Sequence, residues 1–301
     1  MKASDLASLV LLAALWGASF LLTRFAVPDF GAIALTALRV GTAALFLLPL
    51  LIARGQVPVL RRHWRAIGLL GVIVSALPFT LFSYALLSIT AGLGSILNAV
   101  TPMFAAIVAF AWFRDALAPS RVVGLGVGLL GVFVLVWDGA TFKPGGSGLA
   151  VLAVLAATAC YGIGANYTRR WLGGVHPLAI ATGSQLAAAL ALLPSLFWSW
   201  PQHAPGAGAW ASVIALGVAC TGIAFVIFFR LAASIGAARA TTVTYLIPVF
   251  GMLWGALFLH EPISARMLGG CAVILLGVAL TTGLLSPGGL ARAALALQRT
   301  R

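Results

Sequence analysis

Residues 75–134, SALPFTLFSYALLSITAGLGSILNAVTPMFAAIVAFAWFRDALAPSRVVGLGVGLLGVFV, can be laid over residues 221–280, TGIAFVIFFRLAASIGAARATTVTYLIPVFGMLWGALFLHEPISARMLGGCAVILLGVAL, at a constant shift of 146 with no gap. Pro102 then falls on Pro248, Phe104 on Phe250, Asp115 on Glu261, Gly124 on Gly270 and Gly131 on Gly277. Nearer the N-terminus a shift of 145 sets Trp16-Gly17 on Tyr161-Gly162, Thr23-Arg24 on Thr168-Arg169 and Pro49 on Pro194. Self-similarity at a fixed offset marks a duplicated structural unit. The first half of the chain therefore resembles the second.

The unit is a membrane one. Of the residues, 62% are hydrophobic and 8% charged, with mean hydropathy +1.12. A soluble domain is about 25% charged, so most of this chain does not face water. Crossing a hydrocarbon core takes about 20 helical residues. Apolar runs of that order lie at 6–27, 31–53, 66–87, 91–113, 122–137, 147–168, 177–200, 208–229, 236–259 and 263–285. They are too long and too little alternating for barrel strands. The first run follows Asp5, lacks a small-residue cleavage pattern and reads as an uncleaved first helix. Cys160, Cys220 and Cys271 each lie inside an apolar run without CxxC spacing, which predicts packed thiols rather than a metal site.

Charge placement orients the runs. With the N-terminus in the cytoplasm, fourteen of the eighteen Lys and Arg fall on inner segments. Outer loops hold only Arg24, Lys143 and Arg266, and Arg39 lies within a span. That bias predicts both termini inside and ten spans. The net charge of +13 sits in small clusters between apolar runs, not along a groove, so no nucleic-acid partner is expected. Five spans per half is an odd number, so the second half enters from the opposite side. The expectation is an all-α integral membrane protein of two inverted-topology five-helix repeats around a central cavity, a transporter architecture. The divisions are 1–138 for the first repeat, 139–146 for a linker, 147–285 for the second repeat and 286–301 for a basic tail.

Asn98-Ala-Val-Thr-Pro-Met-Phe…Arg114-Asp and Thr244-Tyr-Leu-Ile-Pro-Val-Phe…His260-Glu-Pro each join a mid-span proline to a following acid and a Gly-rich last helix. In this the chain resembles the EamA-type exporters of the drug/metabolite transporter superfamily, most of all the YddG-type amino-acid exporters. The resemblance covers nearly the whole chain and its motifs are diffuse. It implies a basket of spans one to four and six to nine with five and ten outside, export rather than uptake, amino acids or related metabolites as substrate, and a bacterial inner-membrane location.

Read singly, several residues are candidates for a substrate site. Pro102 and Pro248 remove helix hydrogen bonds to the carbonyls of Asn98 and Thr244, kinking their spans and freeing polar groups that belong on a protein or water-filled face. They are candidate hinges, against the plainer reading of packing kinks. Tyr245 adds a hydroxyl-tipped ring beside Thr244. Trp16 lies in mid-span with Ser19 and Thr23 on one helical stripe, and Tyr161 is its repeat mate; helix packing competes with cavity lining there. For Trp254, packing is the better reading. Arg39 lies eight residues beyond Gly31, about 12 Å into the membrane at 1.5 Å per residue. An intramembrane cation is a functional candidate; it either attracts a carboxylate or bonds backbone carbonyls and snorkels. Gln185 lies near its repeat-equivalent position. Asp115 and Glu261 read as caps or as partners of Arg114, Arg121 or Arg266, with proton coupling through Glu261 the lesser reading.

The GxGxxG of Gly126, Gly128 and Gly131 follows no strand and reads as small-residue helix packing, not a dinucleotide site. His63, His176, His203 and His260 gather no acids at membrane depth, so no enzyme, metal or cofactor is expected. The leading expectation is a secondary transporter working by alternating access, with membrane lipid and a small-molecule substrate as partners. A coupling proton and facilitated diffusion are both left open. The rivals are an uptake permease for anionic or phosphorylated metabolites, which would need more than one cavity cation, and a non-transporting scaffold or membrane-embedded enzyme.

Overall fold

The computed structural model describes residues 3–114, 118–137, 147–235 and 240–283, with the backbone only for residues 229, 232 and 233. Asp115, the linker 139–146 and the tail 286–301 lie outside the described residues. Among those described, all regular structure is helical: α1 (Ala3–Ala53), α2 (Val57–Gly71), a π-helical turn π1 (Val72–Ala76), α3 (Leu77–Ala85), α4 (Ala91–Asn98), α5 (Thr101–Phe113), α6 (Pro119–Val136), α7 (Ser147–Trp171), α8 (Pro177–Leu192), α9 (Leu196–Ser199), α10 (Ala207–Gly217), a second π turn π2 (Val218–Ile223), α11 (Ala224–Ile235), α12 (Val243–Leu259) and α13 (Ala265–Thr281). Six described segments are long and apolar enough to cross a membrane, and α8, α12 and α13 are shorter apolar helices. Large apolar side chains point outward from them, Leu45 at 74% exposure and Phe197 at 85% among many. So much exposed apolar surface belongs against lipid, not water.

The 51 residues of α1 would run about 76 Å if straight, over twice the hydrocarbon thickness of about 30 Å. They double back instead. In the first arm Phe20 meets Phe82 edge-on at 5.5 Å and Arg24 donates to the Leu86 carbonyl. In the second, Thr36 Oγ1 lies 3.3 Å from Ser83 Oγ, and the Arg39 guanidinium lies 3.9 Å from the Phe79 ring centre. The partners climb along α3 with the first arm and descend with the second. The reversal falls at Gly31, whose φ of 73° and ψ of 166° occupy a region open essentially to glycine alone. The two spans expected at 6–27 and 31–53 are these arms.

Two close crossings recur at the offset of the sequence repeat. A Cβ on Gly17 would stand 2.5 Å from Phe250 Cβ, and one on Gly162 would stand 2.9 Å from Phe104 Cβ. Each crossing carries a side-chain tie: Trp254 Nε1 donates to the Ala14 carbonyl at 3.1 Å, as the packing reading of Trp254 expects, and Asn166 Nδ2 to the Ala105 carbonyl at 2.9 Å. Helices α6 and α13 pack through glycines in reciprocal fashion. A Cβ on Gly124 would meet the Gly277 carbonyl at 2.7 Å and one on Gly131 the Gly270 carbonyl at 3.2 Å. The GxGxxG stretch is thus a helix-packing face.

Helix ends are closed by the few charges. Glu261 accepts from the Ala91 and Gly92 amides at 2.9 and 3.3 Å, capping α4 from the loop between α12 and α13. A carboxylate at unpaired N-terminal amides is favourable by charge and dipole together. Arg266 Nε donates to the Val134 carbonyl at 2.7 Å near the end of α6. Arg114 and His260 end α5 and α12 in left-handed conformations (φ 53° and 52°), again 146 apart.

Candidate substrate site

Two π turns prepare the site. Both π1 and π2 insert one wide turn into an apolar helix, and their first residues, Val72 and Val218, are 146 apart. Such bulges frequently mark functional positions. Each carries a hydroxyl that receives a polar side chain from a neighbouring helix. Arg39 Nε donates to Thr221 Oγ1 at 3.1 Å, while Thr221 itself donates to the Leu216 carbonyl at 2.8 Å. Gln185 Nε2 donates to Ser75 Oγ at 2.9 Å. Ser75 and Thr221 are repeat equivalents at the 146 shift, whereas the 145 shift that sets Pro49 on Pro194 sets Arg39 on Ser184, one residue before Gln185; Gly217 and Gly71, 146 apart, face the Arg39 and Ser184 carbonyls.

Arg39 is 8% exposed. Its guanidinium lies over Phe79, where a desolvated cation–π contact contributes about 2 kcal/mol, and the bond to Thr221 adds about as much again. Together these offset a translocon-scale insertion cost of about 3 kcal/mol for a mid-membrane arginine. It bonds a hydroxyl, not the backbone carbonyls that the snorkelling reading required. Among the described residues its terminal nitrogens have no hydrogen-bond partner, and they are not among the sealed orphan atoms. A buried guanidinium with a free fork of N–H groups suits a carboxylate.

Around it, Val40, Ala76, Phe79 and Ala188 form one apolar cluster against which Tyr161 packs, and Tyr161 also stacks on Phe82 at 6.1 Å. Three of the expected residues, Arg39, Tyr161 and Gln185, are thereby gathered where the second arm of α1, π1–α3, α7 and α8 meet. Trp16 and Tyr245 are not hydrogen-bonded to this group, although both pack against the same core cluster as Tyr161. Trp16 is half-buried against Phe228 at 5.6 Å, and Ser19 is committed to the Trp16 carbonyl at 2.7 Å. Tyr245 bonds Thr282 at 2.9 Å, and Thr244 bonds the Thr241 carbonyl at 2.8 Å.

The prolines differ from each other. Helix α4 stops at Asn98 and α5 restarts at Thr101 within the single apolar span Ala91–Phe113, so Pro102 directly follows a break in the middle of that span. There its missing N–H costs nothing, and the Asn98 carbonyl is met by the Thr101 hydroxyl at 2.8 Å. Pro248 does lie inside a helix, buried in α12.

Sequence reasoning missed Ser75, Phe79, Thr221 and Thr182. The signal was present, because the 146 shift opens on Ser75 over Thr221. Two recesses of the surface lie elsewhere: an apolar groove of about 640 Å³ between Leu6, Val10 and Trp254, and a polar one of about 430 Å³ between Arg62, His63 and His176. Neither contains the residues expected to line a central cavity.

Apolar helices that cross a bilayer, packed through glycines around a buried cation, define a multi-pass membrane protein of the transporter class. The EamA-like transporter family matches the chain twice, over residues 6–137 and 148–283, and the chain belongs to that family. It is 32% identical to an uncharacterised protein of Pseudomonas aeruginosa over 86% of this chain and 88% of that one. It is 24% identical to an uncharacterised transporter of Archaeoglobus fulgidus, over 90% and 95%. A Streptantibioticus cattleyicolor protein described as a "probable terminal-alkyne amino-acid exporter" is 25% identical over 91% of each chain. A solved crystal structure superposes with a TM-score of 0.69 at 22% identity, covering 95% of this chain and all of that one, which shows a shared fold. These relatives point to transporters rather than enzymes.

Proposed function

We propose that this protein is a secondary transporter of the bacterial inner membrane that exports small carboxylate-bearing metabolites, amino acids foremost, by alternating access of two inverted five-helix halves, with both termini in the cytoplasm. The observation that carries the reading is Arg39, a buried guanidinium with unspent N–H groups beside an aromatic wall. Counting α1 as two arms, the six long apolar segments and the three shorter ones make ten. The two successive family matches and the contacts that recur at an offset of 145–146 support two equivalent halves. The exporter named among the relatives supports amino acids over other cargo, and with it the YddG-like resemblance. One cation fits a single carboxylate, whereas a phosphorylated metabolite would call for more. Pro248 and the break before Pro102 are the proposed hinges, and Trp16, Asn98, Thr244 and Tyr245 act around the site as it opens. The test is flux from liposomes loaded with mixed amino acids: the wild type releases some of them and Arg39→Ala does not, at equal reconstitution. Equal flux with and without the protein refutes the reading.

A further inference from the structure

Two side-chain oxygens in the interior have no hydrogen-bond partner, Thr182 Oγ1 and Gln185 Oε1. Both residues are fully buried, and both lie on α8 one turn apart, hence on one face. In the first half the buried hydroxyl of Thr36 is by contrast satisfied. Thr36 bonds the Ala32 carbonyl at 2.8 Å and approaches Ser83. An oxygen left unpaired in so apolar a setting carries a substantial desolvation cost and calls for an explanation. Two of them lie on one face of α8, a helix packed against the α1 arm that carries the only buried cation among the described residues, and they make a pair of acceptors without donors.

Resting on the proposed transport of carboxylates, the geometry points to Thr182 and Gln185 as the subsite for the ammonium group of a zwitterionic substrate, with Arg39 holding its carboxylate. The helices that carry them touch: Val40, next to Arg39, and Ala188, three residues beyond Gln185, share one cluster. Ser75, the anchor of Gln185, and Phe79, which lies beneath Arg39, are one turn apart, about 6 Å along the helix. The acids among the described residues bond elsewhere, Asp5 to Ser234, Asp29 to the Gly206 amide and Glu261 to the Ala91 and Gly92 amides, and none of them meets an ammonium here. Neutral oxygens therefore read the ammonium, and the substrate supplies its own counter-charge. Both oxygens are sealed in this conformation, so the carboxylate meets Arg39 first and the ammonium reaches α8 when α8 and π1 part.

The test is competition for transport of labelled phenylalanine into proteoliposomes by unlabelled phenylalanine and by 3-phenylpropionate, which keeps the carboxylate and ring but lacks the ammonium. Wild type should prefer phenylalanine by at least about tenfold, one to two hydrogen bonds to a charged group. In Thr182→Val and Gln185→Leu the preference should fall below about threefold while 3-phenylpropionate inhibits as before, and Thr182→Ser should restore it. An unchanged preference in both variants, as expected if the oxygens hold only a water, overturns the subsite. Loss of inhibition by both compounds in either variant would also overturn it, because a merely structural role does that. Absence of phenylalanine transport is met by the same competition read as thermal stabilisation of the detergent-purified protein: no shift with either compound refutes the carboxylate reading itself, and equal shifts refute only the ammonium subsite.

Discussion

The two halves agree in their packing and differ in their polar chemistry. Gly17 against Phe250 matches Gly162 against Phe104, and Gly124 on Gly277 matches Gly131 on Gly270. The first half places Arg39 over Phe79 and on Thr221, whereas the second places the neutral Gln185 on Ser75, and the bonded Thr36 of one contrasts with the orphaned Thr182 of the other. Backbone approach tolerates nothing but glycine, so duplicated packing is held. A site read by one asymmetric substrate needs unlike groups, so duplicated polar positions are free to diverge.

That contrast can be broken most forcefully at the glycines. Gly277→Val and Gly131→Val should each lower stability by about 3 kcal/mol, since overpacking against backbone has little room to relax. Thermal unfolding in detergent should show the two losses to be similar; a large loss in one and none in the other would deny their equivalence. Next comes the polar difference. Arg39→Ala should reduce flux by about 30- to 100-fold, the loss of a charged hydrogen-bonded pair, whereas Gln185→Ala should cost less than tenfold. Equal losses would mean that the halves bind alike. Trp16→Ala and Asn98→Ala should lower flux several-fold with expression intact, measured in the same vesicles. Glu261→Gln should destabilise by about 1 kcal/mol through weaker capping of α4, read as a shift in unfolding temperature. Smallest of all, Gly126→Ala should be neutral or stabilising by up to about 1 kcal/mol, because nothing lies within 4 Å of its new methyl group.

Much of the scaffold could be read from apolar run length, charge placement and the 146 shift, which are properties of segments. The hairpin of α1 was legible because Pro28, Asp29 and Gly31 interrupt two spans. The site was legible only in part. Arg39 announced itself as a lone charge, and Gln185 followed from lying near its offset. Ser75 and Thr221 did not, because a hydroxyl inside an apolar helix ordinarily bonds its own backbone, and π turns have no sequence mark. Pro102 and Pro248 show a related limit: both lie in the middle of an apolar span, yet one follows a break in its helix, where the Thr101 hydroxyl meets the Asn98 carbonyl, and the other sits inside a continuous helix.

The most direct measurement is efflux of a mixed amino-acid load from liposomes containing wild type or Arg39→Gln, with unfolding temperature recorded for both. The account predicts efflux of at least one amino acid by wild type and its loss, by tenfold or more, in a variant that is still folded. Undiminished efflux in Arg39→Gln, or none in wild type, would contradict it.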